Sequence, residues 1–355
     1  AYRFGGGSSR PGGPRRLERS APRRHSAGMI KRLSAVLLAF ALAPGLWWQS
    51  HETKPSGPPL VFLPQPVPPQ AELAPHLGTL VLERAWQLRS ASAQFGSYSG
   101  LVPIDAQHFL AISDRGHALP FVVPGKLTGP VPILRLATAG GPVRDDYDAE
   151  AITRDPASGK VWIAWETSNA IARFSPDLRR EGTVAPPEMA DWGVNGGPES
   201  LVRLADGRFI ALREAAEGWF AGTEHQALLF REDPLHGAPP LRFRFASPAH
   251  FDPVDMAQLP DGRVLILLRR AVWPLPLRFA GRIVIADPAA IAPGQVWRGR
   301  EVARLTSSIG VDNFEGIAIT ARTDGRVNIW LISDDNGAAT QRTLLWQLSA
   351  EPAEL

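Results

Sequence analysis

The sequence predicts an all-β fold, a single β-propeller of five blades, and three observations predict it. A hairpin-like unit recurs five times, the copies are evenly spaced, and β-branched and aromatic runs fill the intervals between them. The clearest copy runs from Tyr147-Asp148-Ala149-Glu150-Ala151-Ile152 through the turn Asp155-Pro156-Ala157-Ser158-Gly159-Lys160 to Val161-Trp162-Ile163-Ala164-Trp165-Glu166. An acid opens a short apolar run, a Pro/Gly turn reverses the chain, and a strand-like run closes on a second acid.

The first copy pairs Ser99-Gly100-Leu101-Val102 with Phe109-Leu110-Ala111-Ile112-Ser113-Asp114. The third joins Pro198-Glu199-Ser200-Leu201 to Phe209-Ile210-Ala211-Leu212-Arg213-Glu214, and the fourth Val254-Asp255-Met256-Ala257 to a run ending in Leu268-Arg269-Arg270. The fifth joins Phe314-Glu315-Gly316-Ile317 to Trp330-Leu331-Ile332-Ser333-Asp334-Asp335. The repeat positions Ser99, Glu150, Glu199, Asp255 and Glu315 are separated by 51, 49, 56 and 60 residues. Such an interval holds four strands of about 5–6 residues with their turns, the content of one blade. Three copies turn on Asp-Gly, where glycine enters positive φ without a Cβ clash.

The run Leu80 to Leu88 reads as a fourth strand without its first three, and the last unit, Glu315 to Ser349, lacks a fourth. If the N-terminal strand completes the last blade, the ring closes and two open sheet edges disappear. Six blades are the alternative should residues 115–147 hold another sheet, and a β-sandwich is the fallback.

Charge divides the chain. Residues 1–32 carry nine basic residues and one acid, a net +8 in a chain of net +3, which leaves −5 for the remainder. The high pI of 9.6 therefore belongs to a Gly/Pro/Arg tail, and nucleic-acid binding is set aside for the folded part. Residues 1–28 are expected as a disordered basic tail upstream of a start at Met29. Residues 29–50, a basic start followed by an apolar run, read as a signal peptide or N-terminal membrane anchor. Pro44 directly after Ala41-Leu42-Ala43 disfavours cleavage there. Residues 51–77 are a Pro-rich linker, expected to be an extended spacer, and 78–352 form the propeller. A periplasmic or secreted monomer, or one tethered to the inner membrane, is the expectation. The absence of cysteine excludes disulfides and thiol catalysis.

In an up-and-down blade the first strand lines the central channel, and its start lies at the same end as the end of the second strand. Ser99, Glu150, Glu199, Asp255 and Glu315 are thus expected to ring one mouth, with Asp114, Glu166, Glu214, Arg270 and Asp334/Asp335 one shell further out. The result is a shallow acidic cup. Carboxylates this crowded need Ca2+ or another divalent cation, or interleaved arginines, to offset their repulsion. Glu150, Glu199, Glu315 and Asp114 are candidate metal ligands, and Glu150, Glu199, Glu315 and Asp334 candidate catalytic acids or bases. Arg115, Arg213, Arg269 and Arg270 are the arginines at that end whose side chains could hold a phosphate or carboxylate group. Arg115, Arg213 and Arg269 are the candidates for the anionic part of a substrate, with His117 beside them as a further substrate-binding residue or base. The bland alternative is that the acids staple neighbouring blades by accepting backbone N–H bonds, and that His117 is a solvated loop residue. No Gly-x-Ser-x-Gly elbow occurs, since Gly96-Ser97-Tyr98-Ser99-Gly100 centres on tyrosine; there is also no His-Glu-x-x-His and no P-loop.

Ser113-Asp114-Arg115-Gly116, Tyr147-Asp148-Ala149-Glu150-Ala151-Ile152, Gly197-Pro198-Glu199-Ser200-Leu201, and Asn313-Phe314-Glu315-Gly316-Ile317 with Ser333-Asp334-Asp335-Asn336 resemble, in order, the exported bacterial family named for the esterase-like activity of phytase. The resemblance covers about residues 78–350 and implies an exported propeller that hydrolyses a phosphoric or carboxylic ester. Its fourth unit departs from the pattern, with Asp255 for the usual Glu and two arginines where the others end in an acid. Two further functions remain open on the same scaffold. One is a non-catalytic, envelope-tethered propeller that binds a ligand or protein; the other is a lactonase-like metal hydrolase, for which Asn195 and Asn313 are the residues to examine.

Overall fold

The computed structural model describes residues 59–124, 131–136, 148–217, 222–272 and 278–355. The tail, the leader-like stretch and the first part of the linker lie outside them. Strand β1 (Val61–Pro64), helix α1 (Gln70–Leu77) and strand β2 (Val81–Arg89) lead into the repeats. Strands β3 (Tyr98–Pro103), β4 (His108–Ser113), β5 (His117–Val122) and β6 (Leu134–Arg135) form the first sheet. The second holds β7 (Ala149–Arg154), β8 (Val161–Trp165), β9 (Ala170–Phe174) and β10 (Arg180–Val184). The third is β11 (Pro198–Arg203), β12 (Phe209–Ala216), β13 (Glu224–Phe230) and β14 (Leu241–Ala246). The fourth is β15 (Asp252–Gln258), β16 (Val264–Val272) and β17 (Arg278–Ala286); its chain then leaves to add β18 (Val296–Arg298) in parallel to β14 and returns as β19 (Arg300–Leu305). The fifth is β20 (Asn313–Ala321), β21 (Val327–Asp334) and β22 (Leu344–Ala350).

The five sheets among the described residues are five blades, and the described part of residues 115–147 supplies the two outer strands of the first, β5 and β6. Strand β2 lies antiparallel to β22, with Val81 opposite Ser349 and Trp86 opposite Leu345, and so is the fourth strand of the last blade. One apolar cluster fills each boundary. Phe109 meets Trp330 at 4.9 Å between blades five and one, and Trp162 meets Phe209 edge-on at 4.9 Å between two and three. These contacts explain why tryptophan sits inside strands.

The first strands converge on the channel, so their residues are small where blades touch. A Cβ on Gly316 would lie 3.1 Å from Leu101 Cβ of blade one, and one on Gly100 would lie 2.9 Å from Ile152 Cγ2 of blade two. The Asp-Gly turns form as expected: Gly207, Gly262 and Gly325 have φ of 92°, 94° and 83°.

The spacer is shorter than expected. Residues 61–64 pair with β2 on the outer edge of blade five, and Leu73 and Leu77 of α1 are buried in one cluster with Leu305 and Leu348. Leucines four apart fall on one helical face; burying that face overrides the local proline density, including Pro75 inside the helix. The folded unit therefore already includes residue 61. Among the described residues no helix is long and apolar enough to cross a membrane.

Candidate functional site at the acidic mouth of the channel

Each first strand begins with a β-bulge, which leaves one residue unpaired and turns it toward the channel mouth. The register skips between Tyr98 and Gly100, Ala149 and Ala151, Pro198 and Ser200, Pro253 and Asp255, and Phe314 and Gly316. The bulged residues are thus Ser99, Glu150, Glu199, Val254 and Glu315. Asp255 is not the fourth ring member; it stands one residue deeper, at the register of Gly100, Ala151, Ser200 and Gly316. A slip of one residue on a strand sends the side chain to a different side, and sequence spacing cannot detect it. The same register places Asp114, Glu166, Glu214, Arg269 and Asp334 in the outer ring, with Arg269 where Arg270 was expected. Blade four thus gives up both acids of the repeat.

The acids do not line a shallow cup. Glu150, Glu199 and Glu315 are only 8, 6 and 5% exposed, and Glu166 and Asp334 are buried as well. Burial pushes the Glu150 and Glu199 carboxyls well above the usual range; the main repulsion on Glu150 comes from Glu199 and that on Glu199 from Glu214. Burial likewise raises Asp334, with repulsion from Glu315 and Asp114 adding to it. Asp114 and Glu214 are each pushed up to about 7, chiefly by burial, although Arg115 and Arg269 respectively pull them back. Asp148, two residues before Glu150, adds its charge to the same place and raises Glu150 and Glu166 further.

Arg269 is the counter-charge. Its Nη2 lies 3.2 Å from Glu214 Oε1 and its Nε 3.0 Å from Glu315 Oε1. Asn313, fully buried, donates to Glu315 Oε1 at 2.7 Å, while its own Oδ1 has no hydrogen-bond partner among the described residues. The oxygens of Asp148, Glu150 and Glu166 lie within 4.8 Å of one another, as do those of Glu166, Glu199 and Glu214. An all-oxygen donor set of this density fits a hard divalent cation.

The other expected residues are placed as follows. Glu166 accepts from the backbone N–H groups of Gly196 and Gly197 in the next blade, and Asp335 accepts from Ser97 N–H at 3.1 Å. These two do staple blades. Among the described residues no backbone N–H reaches the carboxylates of Glu150, Glu199 or Glu315. Arg213 spends its guanidinium on the carbonyls of Gly196 (3.1 Å) and Trp192 (2.8 Å). Arg115 donates to Ser97 Oγ at 2.7 Å. His117 is on β5, two strands out from the channel; burial, then Arg115 and Arg135, lower its pKa, so it is neutral. Asp148 went unsingled in the sequence, although its i, i+2 spacing from Glu150 was a signal for a shared side of the strand.

The raised acids make stability pH-dependent. An acid with a folded pKa above its unfolded value, about 4, takes up a proton on folding in the window between the two. Its contribution therefore falls as pH rises through that window. For Asp114 and Glu214 this window runs from about 4 to about 7. Depressed surface acids such as Asp105, at about 2, act below it with the opposite sign. Thermal melts in EDTA should show the highest Tm near pH 4–5 and a decline toward neutrality; a Tm that climbs from pH 5 to 7 would mean the acids are ionised and already compensated.

The sequence profile of a family described as phytase-like, esterase-like activity of phytase, matches residues 93–337. No curated protein matches the chain. Among solved structures, the WD40 β-propeller domain of Doa1 is 12% identical with a TM-score of 0.36, covering 73% of this chain and 94% of its own. A hypothetical protein from Leishmania major is 13% identical with a TM-score of 0.42, covering 72% and 86%. A chain of a nidogen/laminin complex is 10% identical with a TM-score of 0.39, covering 76% and 96%. With scores below 0.5 these likenesses add nothing to the five sheets themselves.

Proposed function

This chain belongs to the phytase-like family described as esterase-like activity of phytase, and from that premise we propose that it is a divalent-cation-dependent hydrolase of phosphoric or carboxylic esters. The observation that carries the reading is the convergence of buried carboxylates on one channel mouth, with two trios of oxygens each within 4.8 Å. Glu150, Glu166, Glu199 and Glu214, with Asp148, would hold the cation, Ca2+ being the first candidate. A bound divalent ion supplies a polarised ester oxygen and a water of lowered pKa.

The chain's own residues do the rest. Arg269, fixed between Glu214 and Glu315, keeps those side chains from turning away as protons leave the site. Asp114, pushed up to about 7 and outside the cation-holding set, changes protonation at neutral pH and is suited to accept or return a proton during ester cleavage. Asp334 sits beside Glu315 and Asp114 and serves as a reserve for that proton. The lactonase-like alternative receives less support, because Asn195 is exposed and Asn313 already serves Glu315. Export to the periplasm or medium, with or without a tether, rests on the leader-like residues 29–50; a monomer is part of the same proposal.

The test is hydrolysis of 4-nitrophenyl phosphate and 4-nitrophenyl acetate with and without Ca2+, beside thermal melts over a Ca2+ titration. A ligand that binds only the folded state raises Tm with concentration. Ca2+-dependent turnover with a rising Tm supports the reading. No turnover and no Tm shift with any divalent ion would overturn it and leave the binding propeller, with Arg269 as permanent counter-charge.

A further inference from the structure

The geometry points to a separate anion site beside the acidic mouth: we propose that Arg270 and Arg282, packed on Phe251 in the fourth blade, bind the phosphate group of a phosphate monoester. This deepens the hydrolase reading and rests on it for calling that monoester a substrate.

Three of the four arginines expected at that end are occupied. Arg213 is committed to two backbone carbonyls and Arg269 to two carboxylates, and Arg115 donates to Ser97. Arg270 is placed differently. Its guanidinium carbon lies 4.8 Å from the centre of the Phe251 ring, and that of Arg282 lies 4.7 Å from the same centre. Arg270 pairs with Ala280 and Arg282 with Leu268 on the adjacent strands β16 and β17. The two arginines therefore sit two register positions apart on one face of the blade.

Positive charge is in surplus there. Glu301 is met by Arg282 Nε at 2.9 Å and by Arg304 Nε at 2.5 Å, so two guanidiniums share one carboxylate. Among the described residues no carboxylate pairs with Arg270, and its Nε is buried without a hydrogen-bond partner. Burial lowers the Arg282 pKa, and repulsion from Arg304 and Arg270 adds to the shift against the pull of Glu301. Three guanidiniums against one carboxylate leave two charges unmatched, the charge of a phosphate monoester dianion. Stacking on a ring holds guanidinium planes without using their N–H donors; with Arg282 Nε turned to Glu301 and Arg270 Nε buried, the terminal Nη groups are the ones left for a tetrahedral oxyanion.

The site adjoins the acidic mouth. Arg270 directly follows Arg269, and Phe251 directly precedes Asp252, whose carboxyl is pulled on by Arg269. A monoester held by its phosphate on Phe251's arginines lies at the same end of blade four as Arg269, whose side chain leaves β16 on the opposite face from Arg270.

The experiment titrates inorganic phosphate into the full-length protein in EDTA by calorimetry, for wild type, Arg270→Gln and Arg282→Gln, with circular dichroism to check the fold. Arg270→Gln removes no partner from a buried acid, so it keeps the test clear of folding defects. One phosphate should bind the wild type and bind each variant about tenfold or more weakly, as expected for a lost charge-assisted bond. Acetate should bind the wild type far more weakly than phosphate. With 4-nitrophenyl phosphate, Arg270→Gln should raise KM about tenfold at unchanged kcat, and with 4-nitrophenyl acetate KM should not move. Equal phosphate affinity in all three proteins overturns the site, as does acetate binding of equal strength or saturation only by a polyanion such as heparin. Phosphate binding that the substitutions weaken, in a protein that cleaves no ester, would sink the hydrolase reading and leave the anion site standing.

Discussion

Replacing Glu199 and Glu315 together by glutamine should abolish cation-dependent ester hydrolysis and at the same time raise the Tm of the cation-free protein. The two effects have one cause. Seven carboxylates occupy the two rings against the single guanidinium of Arg269. Glu199 is raised by burial and by repulsion from Glu214, Glu315 and Glu166, so its neutral isostere relieves the folded state. Glu315 is different, since Arg269 Nε lies 3.0 Å away and Asn313 donates to it. Arg269 keeps Glu214, with Asp334 also drawn on, so its charge is not stranded. A rise of a few degrees is expected, at roughly 2–4 °C per kcal/mol for a domain somewhat smaller than this one. The decline of Tm between pH 5 and 7 should flatten, and the Tm rise with Ca2+ should disappear. Acid staples would behave in the opposite way: their removal lowers Tm and leaves turnover intact. Retained Ca2+-dependent hydrolysis in this double variant would remove both residues from the site.

How much of this was legible in the sequence follows from which forces act locally. The blade repeat was readable because the Asp-Gly turn and the alternation of strand residues are local, and the Trp162 and Trp330 positions announced inter-blade packing. The docking of residues 61–77 was not, because prolines dominate that stretch while Leu73 and Leu77 gain their partners only from distant β19 and β22. The carboxylates of both rings, and Arg269, stood among the candidates or their expected outer shell by repeat position alone. The fourth blade was misread by one residue at both ring positions, Asp255 for Val254 and Arg270 for Arg269. A bulge is a property of two paired strands, and its place is settled by what the neighbouring blade can accept. Phe251 and Arg282 were invisible for the same reason, since their meeting depends on the register of β16 and β17.

The residue that the misreading put in the ring has the largest expected effect on stability. Asp255 is fully buried; its Oδ1 accepts from its neighbour Met256 N–H at 2.8 Å and its Oδ2 from Ile317 N–H at 2.8 Å, with Leu101 N–H as a third donor. Ile317 belongs to blade five and Leu101 to blade one, so a carboxylate from blade four ties three blades at the channel wall. First strands have no strand on their inner side, and their channel-facing N–H groups need acceptors. Burial pushes the Asp255 carboxyl well above the usual range, while the three N–H groups pull it back. Asp255→Ala leaves two buried donors unsatisfied, each costing about 1–3 kcal/mol, so a loss of roughly 3 kcal/mol and a fall of about 6–12 °C in Tm are expected. Asp255→Asn keeps the volume but turns an amide NH2 toward N–H donors, so it should cost nearly as much. If the Asp255→Asn protein melted within about a degree of wild type at pH 7, a shift worth well under 1 kcal/mol, the carboxyl would be held as the neutral acid and one of the three bonds would not matter. At the equivalent register Gly100, Ala151 and Gly316 carry no polar side chain and the buried Ser200 hydroxyl has no hydrogen-bond partner among the described residues, so blade four alone makes this tie. Its departure from the acidic repeat therefore has a structural use: the blade that contributes no ring carboxylate contributes the one that holds the ring closed.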